Sequence, residues 1–273
     1  MKKIGILFLG LISAFSFSQN TRFVYQVSMK TDSTAAPKIE NAYLDISTEK
    51  SIFYGEKRMK RDSTIRQAME TRNFNFDRNS MEQFRTAITY SIEKNSATKT
   101  ISYKDRIARD QYWYDEDRTF TWKILPETVK IGEYETQKAE TTFAGRKWFA
   151  WFTQDLPFID GPYKFSGLPG LIVKVEDEKG DYSFDLKETK KIAELPNFES
   201  RFGNNIKVKR SEFLKQQEKF NKDPMSFFQN QGGGFAMRMG GNQNPQNEAE
   251  RRKMMEERLK EEAKANNNPL EKN

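Results

Sequence analysis

Four carboxylates lie close together in sequence, Asp155, Asp160, Glu176 and Asp177, next to a run of rings, Trp148, Phe149, Trp151 and Phe152. Two acidic side chains facing each other across a cleft, at roughly 5 to 10 Å, could cleave a glycosidic bond. Aspartate serves turns and caps more often than catalysis, and sequence spacing does not set these four opposite one another. Arg146 is a second candidate. A guanidinium beside a turn can clamp an anion with two parallel N–H bonds, or it can stack on Trp148 or pair with Asp155 or Asp160. The rings could stack on a sugar, line a lipid groove or fill a core. These considerations single out Arg146, Trp148, Trp151, Phe152 and Tyr163 as candidate ligand contacts and assign no catalytic residue.

Composition narrows the chemistry. The 273 residues include no Cys and no His. Disulfides, thiol nucleophiles, Ser-His-Asp triads and zinc sites built from Cys and His are therefore excluded. Carboxylate, Lys, Tyr, Ser or Thr chemistry remains, and so does an all-oxygen calcium or magnesium site. Met225, Met237, Met239, Met254 and Met255 could offer thioethers to Cu(I), but their spacing is irregular and loop or helix surface is the simpler reading. No metal and no cofactor is assigned.

Lys2 and Lys3, the apolar residues 4–15 and Ser16-Phe17-Ser18 have the form of an export signal over residues 1–18, with cleavage after Ser18. The expected location is the periplasm or the exterior. No later stretch is apolar enough for a membrane-spanning helix. Loss of the two leader lysines leaves 44 basic against 39 acidic side chains (46 − 2 against 39), a net of +5. Signs alternate along most of the chain, which suits a solvated surface rather than a nucleic-acid partner. Acidic headgroups or glycans remain open as contacts.

The elements that must position the candidates read as strands. Phe23, Tyr25, Val27 and Met29 alternate with polar residues, as do Leu44 with Ile46, Ile88 with Tyr90 and Ile92, Ile101 with Tyr103, and Phe120 with Trp122 and Ile124. A tight turn at Ala144-Gly145 and another over 176–181 predict hairpins, hence antiparallel pairing. The fold class expected is mainly β: one curved antiparallel sheet, half-barrel or open-barrel-like, over residues 19–222. The polar stretch 56–85 reads as irregular hairpins or a short helix near 80–86. Residues 223–247, rich in Gln, Asn, Gly and Met, read as a flexible loop. Residues 248–273 read as a charged helix and tail with many i to i+4 ion pairs.

The densest region is residues 147–175. Rings on both faces of 147–152 mean a covered strand or a groove wall. Gly145, Gly161, Pro162, Gly167, Pro169 and Gly170 are expected to be structural turn positions, with a type II turn over residues 168–171 and positive φ at Gly170.

Several motifs here resemble those of the GLPGLI family of exported Bacteroidetes proteins. They are Gly132-x-Tyr134-x-x-Gln137-Lys138-Ala139, Phe143-x-Gly145-Arg146, Ala150-Trp151-Phe152, Gly161-Pro162 and Gly167-Leu168-Pro169-Gly170-Leu171-Ile172. The closing Asn268-Pro269-Leu270-Glu271 is similar to that family's Asn-Pro-Ile-Glu tail. The resemblance implies no established activity, only an envelope accessory role near outer-membrane transport systems.

Three functions compete at this stage. One is a non-enzymatic envelope module binding a lipid or other hydrophobic or amphiphilic ligand, or an envelope partner; its sheet would be analogous to the half-barrel of lipoprotein carriers. The second is a carboxylate-dependent hydrolase of envelope polymers. The third is a structural or assembly partner of an outer-membrane transport system, acting through the loop and charged helix.

Overall fold

The structure, a computed structural model, describes residues 20–73, 83–198, 203–229 and 245–272. The export signal expected over 1–18 and the Gly-rich centre of the loop lie outside these residues.

Among the described residues twelve strands form one open sheet. They are β1 (Asn20–Met29), β2 (Lys38–Ile46), β3 (Lys50–Gly55), β4 (Ser91–Asn95), β5 (Ile101–Ile107) and β6 (Asp110–Asp115), followed by β7 (Lys123–Ile131), β8 (Tyr134–Phe143), β9 (Arg146–Thr153), β10 (Leu171–Asp177), β11 (Tyr182–Ile192) and β12 (Asn205–Lys207). Their order is β12-β6-β5-β4-β3-β2-β1-β11-β10-β9-β8-β7, so β12 and β7 are free edges and the sheet does not close into a barrel. All neighbours are antiparallel except β12, which pairs with β6 in parallel. That one pair corrects the purely antiparallel expectation. A long excursion returns the chain to the sheet edge, so no hairpin dictates its direction.

Alternation gives the sheet an inner face. Tyr114, Tyr103, Ile92, Phe53, Leu44 and Phe23 are direct cross-strand neighbours from β6 to β1. Val27, Phe184, Val175, Ala150 and Ala139 continue a row from β1 to β8. Phe53 and Phe184 have ring centroids 6.1 Å apart. Three strand spacings separate them, about 14 Å on a flat sheet, so the sheet curls towards this face.

Residues 154–170, between β9 and β10, fill the hollow. Phe158 meets Phe23 edge-on at 5.2 Å, Phe165 meets Trp148 at 4.9 Å, and Tyr163 contacts Tyr90 at 5.7 Å and stacks on Phe184 at 6.3 Å. The main core therefore lies between the sheet and a segment of its own chain.

Several local expectations change. Residues 56–71 form one helix, α1 (Glu56–Thr71), in place of irregular hairpins. Good helix formers with no Gly or Pro fill it, but it has no apolar stripe for periodicity to detect. The described part of 80–86 is turn and coil. A second helix, α2 (Arg210–Lys222), buries Phe213 against Tyr103 and Tyr114. Part of the expected loop is a short helix, α3 (Pro224–Gln229), with Pro at its first position. The charged helix, α4, spans Pro245–Lys264. Phe120 and Trp122 precede β7 and pack against the core from an irregular segment.

The Ala144-Gly145 turn has both residues at positive φ, as a two-residue hairpin needs. The turn at Pro169 is tighter than type II: Gly170 N–H bonds the Leu168 carbonyl, while Leu171 N–H reaches back to Leu156. Gly170 does have positive φ, and a Cβ there would collide with the Thr153 carbonyl.

Candidate functional site

The β8–β9 turn places Arg146 at one end of the hollow, where its side chain is 2% exposed. Nη1 donates to Asp177 at 2.7 Å and to Asp181 at 3.3 Å. Nη2 donates to Asn268 Oδ1 and to the Pro269 carbonyl, both at 2.7 Å, and Nε donates to the Leu270 carbonyl at 3.0 Å. The guanidinium also lies 4.7 Å over the Tyr182 ring. All five N–H groups are used internally, so the anion clamp considered from sequence has no donor left for an outside ligand.

Tyr163 and its neighbour Lys164 are buried in the same hollow. Lys164 Nζ, fully buried, donates to Glu116 at 2.6 Å and Glu271 at 2.5 Å, beneath Tyr103, Tyr114 and Tyr163. Tyr163 also donates to Glu271, and Arg118 bonds both carboxylates. Burial works against the Glu116 carboxylate, but Arg118 and Lys164 outweigh it and hold its pKa down to about 2. Glu271 is lowered in the same way, burial being overcome by Lys164, Tyr163 and Arg118. Lys94 is a second buried ammonium. It bonds Asp160 and the carbonyls of Gly161 and Phe165, and burial depresses its pKa in spite of Asp160. Both lysines are consumed in holding residues 160–165.

The four carboxylates do not converge. Asp160 holds Lys94, Asp177 holds Arg146, and Glu176 pairs with Lys174 on the outer face. Asp155 is exposed and lines a groove of about 330 Å3 that also contains Glu135, Gln137, Thr153 and Gln154. Among the described residues no cluster of three or more acidic side chains could hold a metal ion.

The rings of β9 divide by parity. Trp148 and Phe152 face inward and are buried, with Trp148 Nε1 bonded to the Phe143 carbonyl at 3.2 Å. Phe149 and Trp151 face outward and are half-buried beneath lysines. Lys138 Nζ lies 4.7 Å from the Phe149 centroid and 5.7 Å from that of Trp151. Lys147 covers Phe149 at 5.0 Å and Lys174 covers Trp151 at 5.1 Å. Glu140 and Glu176 stand opposite Phe149 on either side. Lys138 forms no ion pair among the described residues. Of the five ligand-contact candidates, Trp151 is on a solvent-facing surface and the buried Phe152 also borders the groove beside Asp155. The structure brings Arg146, Trp148, Phe152 and Tyr163 together, but as the lining and filling of the hollow.

Sequence reading missed Lys94, Lys164, Glu116, Arg118 and Glu271. A lone lysine between Tyr163 and Phe165, in an otherwise apolar stretch, was the available signal of a buried charge needing a partner. It also missed an outer-face cluster in which Arg22 forks onto Asp45 at 2.8 Å, with Tyr54 donating to the same carboxylate at 2.6 Å.

A family model described as a protein of unknown function (Porph_ging) matches residues 141–174, which hold the motifs from Phe143 to Ile172 but not those at 132–139 or 268–271. The match supports a family of unknown function and does not extend to the GLPGLI name. No curated protein matches the chain. Among solved structures, PNGF-II in two crystal forms superposes with a TM-score of 0.51 in each, at 19% and 17% identity. The overlap covers 72% of this chain and 33% and 32% of those chains, so this chain spans about a third of PNGF-II. At that identity the likeness concerns the fold alone. The LolA superfamily protein NE2245 from Nitrosomonas europaea overlaps 66% of this chain and 88% of its own at 10% identity, with a TM-score of 0.27 that supports no argument.

Proposed function

We propose that this chain is an exported envelope protein that binds an anionic amphiphile through the outer face of β8–β10 and catalyses no reaction. The observation that carries this reading is the pairing of two half-buried rings, Phe149 and Trp151, with the ammonium groups of Lys138, Lys147 and Lys174. Such a surface offers an apolar contact to an acyl or aromatic portion and positive charge to a headgroup beside it. Lys123 adds a fourth cation at the β7 edge; Glu140 is shared by Lys123 and Lys147 and Glu176 pairs with Lys174, so Lys138 is the cation of this face with no ion pair among the described residues. The inner hollow is a poorer candidate because residues 154–170 fill it and its charged groups Arg146, Lys94 and Lys164 are paired internally. The leader read at residues 1–18 and the surplus of basic residues suit the same location and partner.

The test is co-sedimentation with phosphatidylglycerol vesicles and with phosphatidylcholine vesicles. The protein should follow the acidic vesicles, and raised salt should release it. Joint replacement of Phe149 and Trp151 by Ala should weaken binding about tenfold or more, since burying one large ring stabilises by roughly 1.5–3 kcal/mol. Equal partition onto both vesicle types, or unchanged binding by that variant, would reject the reading.

A further inference from the structure

The C-terminal residues make contacts of a kind expected for a bound peptide. After α4 ends at Lys264, the chain crosses the rim of the hollow. Asn267 exchanges bonds with the β1–β2 connection, its Nδ2 donating to Asp32 at 3.0 Å and its Oδ1 accepting from Ser33 N–H at 2.9 Å. Asn268 is engaged through every part. Its N–H bonds the Thr31 carbonyl at 2.8 Å and its Nδ2 the Lys30 carbonyl at 2.7 Å. Its Oδ1 accepts from Arg146 at 2.7 Å and its carbonyl from Tyr182 at 2.6 Å. Pro269 and Leu270 give their carbonyls to Arg146, and the Leu270 side chain packs on the main core. Glu271 accepts from Lys164 at 2.5 Å, Arg118 at 2.6 Å and Tyr163. Lys272 N–H then bonds the Ala144 carbonyl at 2.8 Å.

Three features make this a slot rather than incidental packing. The groups that read the segment come from the β1–β2, β8–β9 and β10–β11 connections, from Arg118 and from residues 163–164, and they converge on six successive residues, 267–272. Gly145 leaves room for it, since a Cβ there would sit 2.8 Å from Lys272. The buried Arg146 and Lys164 and the half-buried Arg118 would also be left under-partnered without it, a costly state. Pro269 has no N–H to satisfy, and its fixed φ limits the entropy lost when an extended peptide docks.

We propose that this rim slot is a peptide-recognition site specific for Asn-Pro-apolar-Glu, occupied here in cis by the chain's own terminus and able to accept the same segment in trans from a second copy. The proposal is independent of the outer-face reading, because its residues lie on the rim and inner side. Asn268 specifies an amide, as its donor and acceptor are both used. Glu271 specifies a carboxylate, as three donors meet it.

The probe is a fluorescent peptide of residues 266–273, titrated into the full-length chain and into a full-length Asn268→Ala/Glu271→Ala variant whose own segment is weakened. Fluorescence polarisation should show saturable binding to the variant. The unaltered chain should bind at least about tenfold more weakly, because its tethered segment competes at an effective concentration on the order of millimolar. Peptides carrying Asp for Asn268 or Gln for Glu271 should bind the variant about tenfold more weakly. If the variant is unfolded, excess peptide should restore its β-type circular dichroism. A folded variant with no binding, equal binding of all three peptides, or an unfolded variant that the peptide does not restore would each overturn the proposal.

Discussion

Arg146 Nη2 and Asn268 Oδ1 meet at 2.7 Å, joining the β8–β9 turn to a residue 122 positions further along the chain. Through the same guanidinium the β10–β11 turn is bound at Asp177. One side chain thus ties together two hairpins and the terminus. Replacing Arg146 by Ala leaves the buried Asp177 carboxylate unpaired and should cost about 3–5 kcal/mol. Lys should recover only part of this, because an ammonium has three donors and lacks the planar fork. Urea midpoints of the two variants would check the order: native, then Lys, then Ala.

Acid should loosen the terminus before it melts the sheet. Glu116, with its pKa held at about 2, and Glu271, lowered in the same network, are both depressed in the folded chain. A depressed carboxylate contributes stability that is complete above its unfolded pKa, about 4.3, and is lost as pH falls through its folded value. Stability should therefore decline from about pH 4.5 towards pH 2. Glu271→Gln should be less stable at neutral pH and decline less steeply over that window. Parallel profiles for the two proteins would remove Glu271 from this role.

The turn glycines Gly180 and Gly170 should not be equivalent. Gly180 has positive φ in open space, so Ala there should cost only the left-handed penalty, about 1–2 kcal/mol. Gly170 combines positive φ with a collision against the Thr153 backbone that no side-chain rotation can relieve. Gly170→Ala should lose upwards of about 4 kcal/mol. Thermal unfolding of the pair would show the difference directly.

Trp148 and Trp151, three residues apart, should respond very unequally to truncation. Trp148 is fully buried against Phe165, and Trp148→Ala should cost about 3–5 kcal/mol. Trp151 is half-buried under lysine stems, and Trp151→Ala should change stability by less than about 1 kcal/mol. Chemical denaturation separates these values easily.

The legible parts of this fold were those set by local rules. Alternation at Phe23, Tyr25, Val27 and Met29 gave β1 its buried face, and the turn signals at Ala144-Gly145 and over residues 176–181 gave two hairpins. Strands β3 and β6 escaped notice because Ile52-Phe53-Tyr54 and Tyr112-Trp113-Tyr114 are continuous apolar runs without alternation. Helix α1 escaped because it is polar on all sides. The candidate site was legible only as composition. Parity along β9 assigns Trp148 and Trp151 to opposite faces, but which face lies inside depends on residues 154–170 folding back over strands distant in sequence. The arginine at position 146 was visible, whereas its partner Asn268 lies in a short motif with no periodicity and no local reason to dock. Lys164 and Glu271 find each other 107 residues apart, a pairing that no window along the chain contains.

On the function proposed above, the ligand meets the chain at the outer face of β9. Intrinsic tryptophan fluorescence during titration with phosphatidylglycerol vesicles tests it most directly, comparing the native chain with Trp151→Phe. Binding should shift the native emission to shorter wavelength as Trp151 enters the apolar layer. The variant should still bind yet lose most of that shift, since Trp148 is already buried. A variant that keeps the full shift, or a native chain that binds with no shift, would contradict the account.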